Sequence, residues 1–133
     1  MAFQGYHIRV GNTVIPEKYI KYDSLQTTYE TLDLDSYRDA NGNLHRNALS
    51  HRSVKVEFET PYMYHRDMQN LMSIIRNNYV SAKEQSVNLS VYIDELDDYV
   101  EQKCYLVNTT WKKAQNSPLG YIYQPTRIAF IGY

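Results

Sequence analysis

Residues 33–59 read DLDSYRDANGNLHRNALSHRSVKVEFE, and two kinds of chain meet within them. The first part is polar and mixed in charge, with too few apolar side chains to form a core. Near its middle lies Asn41-Gly42, a dipeptide that tolerates the positive φ of a type I′ turn and so signals a hairpin. The second part alternates: Val54, Val56 and Phe58 against Lys55, Glu57 and Glu59, the period-two pattern of a half-buried strand. A long polar excursion tied directly to a core strand is either a mobile loop or an arm built to meet a neighbour.

The flanking sequence supplies the rest of the fold. Residues 6–10 and 13–15 are short strands around a Gly11-Asn12 turn, and residues 19–31 read as a long Tyr- and Thr-rich strand. After the strand at 53–59, Thr60 is suited to cap a helix and Pro61 to occupy its first position, where a missing N–H is harmless. Tyr64, Met68, Leu71, Met72, Ile75 and Tyr79 then recur at spacings of three and four, and Asn77-Asn78 marks the end. Val87, Leu89, Val91 and Ile93 alternate with polar residues in a strong strand. An acidic turn, Asp94 to Asp98, leads to its hairpin partner at 99–110. Residues 112–118 (KKAQNSP) read as a loop, and residues 120–133 supply one or two further strands with a break at Pro125. One helix among six to eight strands with short connections predicts a mainly β protein. The expected form is an antiparallel β-sandwich or barrel with one flanking α-helix at about residues 61–78 and a polar arm at about residues 33–52, all in one domain spanning 1–133.

Composition narrows the function. The 14 Lys and Arg nearly cancel the 15 Asp and Glu, leaving a formal charge of −1, so no basic excess points to phosphate binding. No apolar run is long enough to span a bilayer, and the first ten residues lack the apolar stretch of a secretory signal, so no membrane association is expected. The single Cys104 cannot form an internal disulfide and reads as a buried, inert thiol inside a strand. Tyrosine is the outlier, with 14 against 3 Phe and 1 Trp. An apolar ring with a polar tip suits both a wet β-surface and a protein interface.

Catalytic and metal-binding patterns fail on spacing. His7, His45, His51 and His65 match no zinc-ligand arrangement, and His45 and His51 read as exposed arm residues. Asp33, Asp35, Asp39, Asn41 and Asn43 resemble a calcium loop, but Ala40 falls where glycine is required and Arg46 where the bidentate glutamate belongs. The five glycines are scattered, so there is no phosphate cradle. Asp94, Glu95, Asp97 and Asp98 read as a solvated turn, not as an acid–base pair. The chain is therefore expected to be no enzyme and to carry no cofactor and no metal. Arg38, His45, Arg46, His51 and Arg52 make the arm basic in places, yet three aspartates share the segment, a mixture suited to a complementary protein surface.

The arm carries a resemblance. Ser36, Arg38, Ala40, Asn41, Gly42, Leu44 and Arg46, followed by the alternation of Val54, Val56 and Phe58, a helix and strong antiparallel strands, resemble small tail proteins of tailed bacteriophages and prophages. The order of elements resembles the tail-tube fold. The resemblance implies a structural virion protein that self-assembles into a ring, hexameric in that family, or a tube through which DNA passes as cargo. It implies as partners copies of itself and other phage tail or connector proteins, and as location the virion tail, with assembly in the host cytoplasm. It implies a subunit interface at Tyr37, Arg38, Asn41, Gly42, Leu44, Arg46 and Arg52, in which arginines supply charge and Tyr37 and Leu44 apolar anchors. It assigns Asp94, Glu95, Asp97 and Asp98 to a lumen. Two alternatives remain: a monomeric adaptor such as a head–tail connector or tail-completion protein, and a single-stranded nucleic-acid-binding β-barrel.

Overall fold

Strand pairing accounts for most of the chain. A computed structural model describes residues 3–133, so the first two residues of the expected domain lie outside it. In chain order the elements are β1 (Ile8–Val10), β2 (Thr13–Val14), β3 (Gln26–Asp33), β4 (Tyr37–Arg38), β5 (Leu44–His45), β6 (Ala48–Glu59), β7 (Met63–Tyr64), α1 (His65–Arg76), β8 (Tyr79–Ser81), β9 (Ser86–Ile93), β10 (Asp98–Leu106), β11 (Lys113–Ser117), β12 (Gly120–Tyr123) and β13 (Arg127–Gly132). The main sheet runs β2-β1-β9-β10-β13-β6-β3, with β8 also beside β9, and each pairing is antiparallel. The sheet curls enough to bring β3 against β9. A second sheet, β11-β12-β7, stands beside α1, and β4-β5 forms a separate ribbon. The fold is thus mainly β and antiparallel with one α-helix, as the alternation predicts.

The core follows the apolar phase of each strand. Val54, Val56 and Phe58 of β6 are buried with Val87, Leu89, Val91 and Ile93 of β9, Ile128 and Phe130 of β13, and Ile8 and Val10 of β1. Met68, Leu71 and Ile75 of α1 join them, which is the stripe that the helical spacing predicts. Each such side chain contributes on the order of 1.5–3 kcal/mol by leaving water. Cys104 is fully buried in β10, and that burial pushes its thiol up to about 12, so it is protonated and unreactive at neutral pH.

Four elements differ from expectation, each for a local reason. Residues 19–31 are not one strand: 3-10 turns occupy Glu17–Tyr19 and Tyr22–Ser24, and β3 begins at Gln26. Tyr19 and Ile20 are both buried, which an alternating strand with one inward face cannot achieve. The Ser24 hydroxyl then closes the second turn by donating to the Lys21 carbonyl, and it accepts from the Glu59 N–H at 2.8 Å. The helix starts at His65 instead of Pro61, with Tyr64 as its N-cap. Thr60 is buried, and its hydroxyl accepts from the Thr126 N–H at 3.1 Å, so it is unavailable as a cap. Residues 63 and 64 are instead drawn into pairing with β12. At the other end Tyr79, expected within the helix stripe, belongs to β8. The expected loop at 112–118 contains β11, whose side chains are almost all exposed, so no apolar alternation announced it.

β6 is also longer than residues 53–59. It begins at Ala48, five residues inside the expected arm. Beyond Gly132, where β13 ends, β6 and β10 continue without a strand between them. Gln102 bridges that gap: its amide nitrogen donates to the Arg52 carbonyl at 3.0 Å and its oxygen accepts from the Val54 N–H at 2.7 Å. Replacing Gln102 with Leu should leave both backbone groups unpaired and destabilise the protein by about 2 kcal/mol. Urea unfolding measures this as a lower midpoint at unchanged slope.

Candidate assembly interface

The arm is a ribbon held by its own side chains. The β3–β6 ladder reaches Asp33 opposite Ala48 after an irregularity past Thr31, and the Leu34 N–H then bonds to the Asn47 carbonyl at 2.9 Å. Arg46 grips Asp33 with two bonds, Nε to Oδ2 at 3.1 Å and Nη2 to Oδ1 at 2.8 Å. Tyr37 and His45 face each other across β4 and β5, with rings stacked at 4.8 Å and 10° apart. At the tip the Asp39 carboxylate accepts from the Asn41 and Asn43 N–H groups at 2.9 and 3.0 Å, while its second oxygen lies 2.9 Å from His45 Nε2. Those bonds change the turn from the expected type I′. The Gly42 N–H reaches the Asp39 carbonyl, and Gly42 has φ 82 while Asn41 is not in the left-handed region. This is a three-residue loop in which glycine takes the one position that needs positive φ.

The expected arm residues are brought together but are engaged within their own chain. Arg38 donates to the Gly42 carbonyl at 2.9 Å and Arg46 pairs with Asp33. Arg52 donates to the Tyr29 carbonyl at 2.6 Å, lies 4.2 Å over the Tyr29 ring and approaches Glu95 to 3.5 Å. Almost the whole arm is exposed, and among its exposed side chains are four large apolar ones, Leu34, Tyr37, Leu44 and Leu49. Tyr37 shares one face of the ribbon with His45 and Leu44 the other with Arg38, so apolar side chains meet solvent on both faces, as they would in a ribbon inserted into a neighbour.

The staples predict an acid response. The Arg46 hydrogen bond holds the Asp33 carboxyl below the usual aspartate range, and the His45 bond with the Asn43 and Asn41 N–H groups does the same for Asp39. A lowered folded-state value means stabilisation that is complete above the ordinary aspartate value and lost as pH falls through the lower one. Amide NMR signals of Asn41 and Asn43 should therefore shift as the pH falls below about 4. Signals from β9 should not follow them.

The acidic turn sits at the base of the arm. Asp94–Leu96 is a 3-10 turn and Asp97 is left-handed at φ 48. Asp94 Oδ2 lies 3.5 Å from the Thr27 hydroxyl, and Glu95 meets Arg52. Asp97 accepts from the Tyr92 hydroxyl at 2.6 Å, which pushes that phenol up to about 12. Counted with the arm, this end of the molecule carries Asp33, Asp35, Asp39, Asp94, Glu95, Asp97 and Asp98 against Arg38, Arg46 and Arg52, a clear acidic excess.

The opposite end of β6 leads into the β11-β12-β7 sheet, of which the sequence announces only β12. Twelve strand residues separate the two ends by about 36 Å. Leu119, at the tip between β11 and β12, is 80% exposed, and Tyr121 is exposed beside it. Lys113 Nζ lies 4.8 Å from the Tyr121 ring centroid, and Lys112 precedes it. The hint in the sequence was an apolar Leu119 between Pro118 and Gly120, at a turn tip where polar residues are the norm.

Comparison with known proteins yields a family and a fold. The model of DUF6711, a family of unknown function, matches residues 1–133, and the chain belongs to that family. No curated protein matches the chain. Among solved structures, a chain from the tail of an empty GTA particle, determined by helical refinement with C6 symmetry, aligns with a TM-score of 0.52 at 14% identity. That alignment covers 99% of this chain and 95% of the other, so the likeness extends over the whole fold. A chain of an extracellular contractile injection system, the PVC sheath-tube complex in its extended state, aligns at 0.39 and 15% identity over 100% of this chain and 88% of its own.

Proposed function

We propose that this chain is a non-enzymatic structural subunit of the tail of a phage or phage-like particle. It assembles with copies of itself into rings, sixfold by analogy with the GTA tail, or into a tube that DNA traverses. The observation that carries the reading is the arm: a self-bonded ribbon that projects from the sheet and keeps Leu34, Tyr37, Leu44 and Leu49 in solvent. A segment with that much internal order and that much exposed apolar surface is built to be covered. The whole-chain likeness to a tail subunit and the tail-like arm sequence support the same reading.

In this reading Tyr37 and Leu44 are the anchors. Arg38, Arg46 and Arg52, with the turn at Asn41 and Gly42, hold the ribbon in the shape that presents them. A net charge of −1 suits a bore that lets DNA pass without holding it. The resemblance assigns Asp94, Glu95, Asp97 and Asp98 to that bore, although Glu95 also braces the arm through Arg52. A second reading, an adaptor that stays monomeric and docks on a preformed ring, is favoured by one observation: the bonds that order the arm lie within its own chain. Size-exclusion chromatography with light scattering separates the two, since the first predicts multiples of 15.7 kDa and the second predicts them only with a partner present.

A further inference from the structure

We infer that the exposed end of the β11–β12 hairpin, around Leu119 and Tyr121, is the seat for the arm of a second copy. The inference deepens the proposed function and rests on its claim that copies of the chain associate. Both surfaces expose large apolar side chains among polar ones: Leu34 and Tyr37 on the arm, Leu119 and Tyr121 on the sheet. Their charges are opposite. The arm and the adjoining acidic turn carry an excess of carboxylates, whereas Lys113 lies over the Tyr121 ring and the exposed Lys112 precedes it. Arm against arm would bring two acidic ends together, and seat against seat would bring two lysine pairs together, so each surface disfavours itself and fits the other.

Geometry adds a consequence. The arm and the seat lie at opposite ends of β6, so a contact between them joins different surfaces of the two copies. Such a head-to-tail contact leaves one free arm and one free seat after every addition. Except where two copies exchange arms reciprocally about a two-fold axis, it builds rings or open stacks and does not stop at a pair. The same patch explains why Leu119 is tolerated at a solvent-exposed turn tip.

Cysteine cross-linking tests the match. Tyr37→Cys and Leu119→Cys are made in separate chains, one bearing a size tag, with buried Cys104 left in place. The mixed sample is assembled and treated with a short bismaleimide. The expected result is a covalent dimer of one tagged and one untagged chain as the dominant product, with far less product in either single-variant sample. In parallel, Lys112→Glu combined with Lys113→Glu should lose assembly while keeping the wild-type circular dichroism spectrum. Assembly with only Tyr37→Cys to Tyr37→Cys products, or with no cross-link, would overturn the seat while leaving the proposed function standing. Failure of the wild-type chain to associate, alone or with tail partners, would remove both.

Discussion

Deleting residues 35–49 and joining the ends with a short turn should abolish self-assembly and leave a folded monomer. The arm's exposed side chains are absent from the core, and its bonds are made mostly within itself, so the intramolecular loss is small. Arg46 with Asp33, Leu34 with Asn47 and the Asp33–Ala48 end of the β3–β6 ladder tie its base, and surface changes of this kind shift stability by about 1 kcal/mol. Association should suffer far more. The deletion removes Tyr37, Leu44 and Leu49, apolar side chains each worth on the order of 1.5–3 kcal/mol when fully buried. Even partial loss corresponds to a shift of the assembly concentration by at least about 1,000-fold. Light scattering against concentration reads the association, and circular dichroism reads the fold. Undiminished assembly of the deletion variant would contradict the role given to the arm.

The second large effect is the reverse: a change that ruins the fold without touching either surface. Phe130 is fully buried on β13, between β10 and β6, and lies opposite Val56. Phe130→Ala should destabilise the protein by about 3–5 kcal/mol, because the site lies in a sheet paired on both sides and cannot collapse into the cavity. For a chain of this size the melting temperature should fall by on the order of 10–20 °C. Leu119→Ala, at a side chain already in solvent, should leave it unchanged within about 0.5 kcal/mol. Thermal unfolding of the two variants side by side measures the contrast. A small effect at Phe130 would mean that the core is centred elsewhere.

The parts of the fold legible in sequence were those in which one face meets the core and the other meets water. The end of β6 shows this best, since Val54, Val56 and Phe58 are buried while Lys55, Glu57 and Glu59 reach solvent. In β9 Val87, Leu89, Val91 and Ile93 are buried as their alternation requires, but Ser86 and Ser90 on the other phase are covered as well. The helix stripe was equally readable, because Met68, Leu71 and Ile75 pack inward as their spacing requires. Boundaries failed where a distant partner competes for a local signal. Thr60 has the chemistry of a helix cap, but Thr126, far along the chain, takes its hydroxyl first. Pairing with β12 then holds Met63 and Tyr64 extended.

The candidate surface was legible only in part. The polar composition of residues 33–52 and the Asn41-Gly42 signal located a projecting hairpin, and the structure has one there. Sequence did not show that Asp39 would move the turn by bonding to Asn41 and Asn43, nor that Arg38, Arg46 and Arg52 would each find a partner inside the chain. Those pairings depend on side chains meeting across strands, and spacing alone does not report that. The β11-β12-β7 sheet stayed hidden because β11 has no apolar phase and β7, which pairs with β12, lies far earlier in the chain.

Negative-stain microscopy of the purified chain tests the central claim most directly. The account predicts closed rings or stacked tubes of repeating subunits, absent from the same preparation of the arm-deleted variant. Fields of single small particles at every concentration, with or without tail partners, would contradict it.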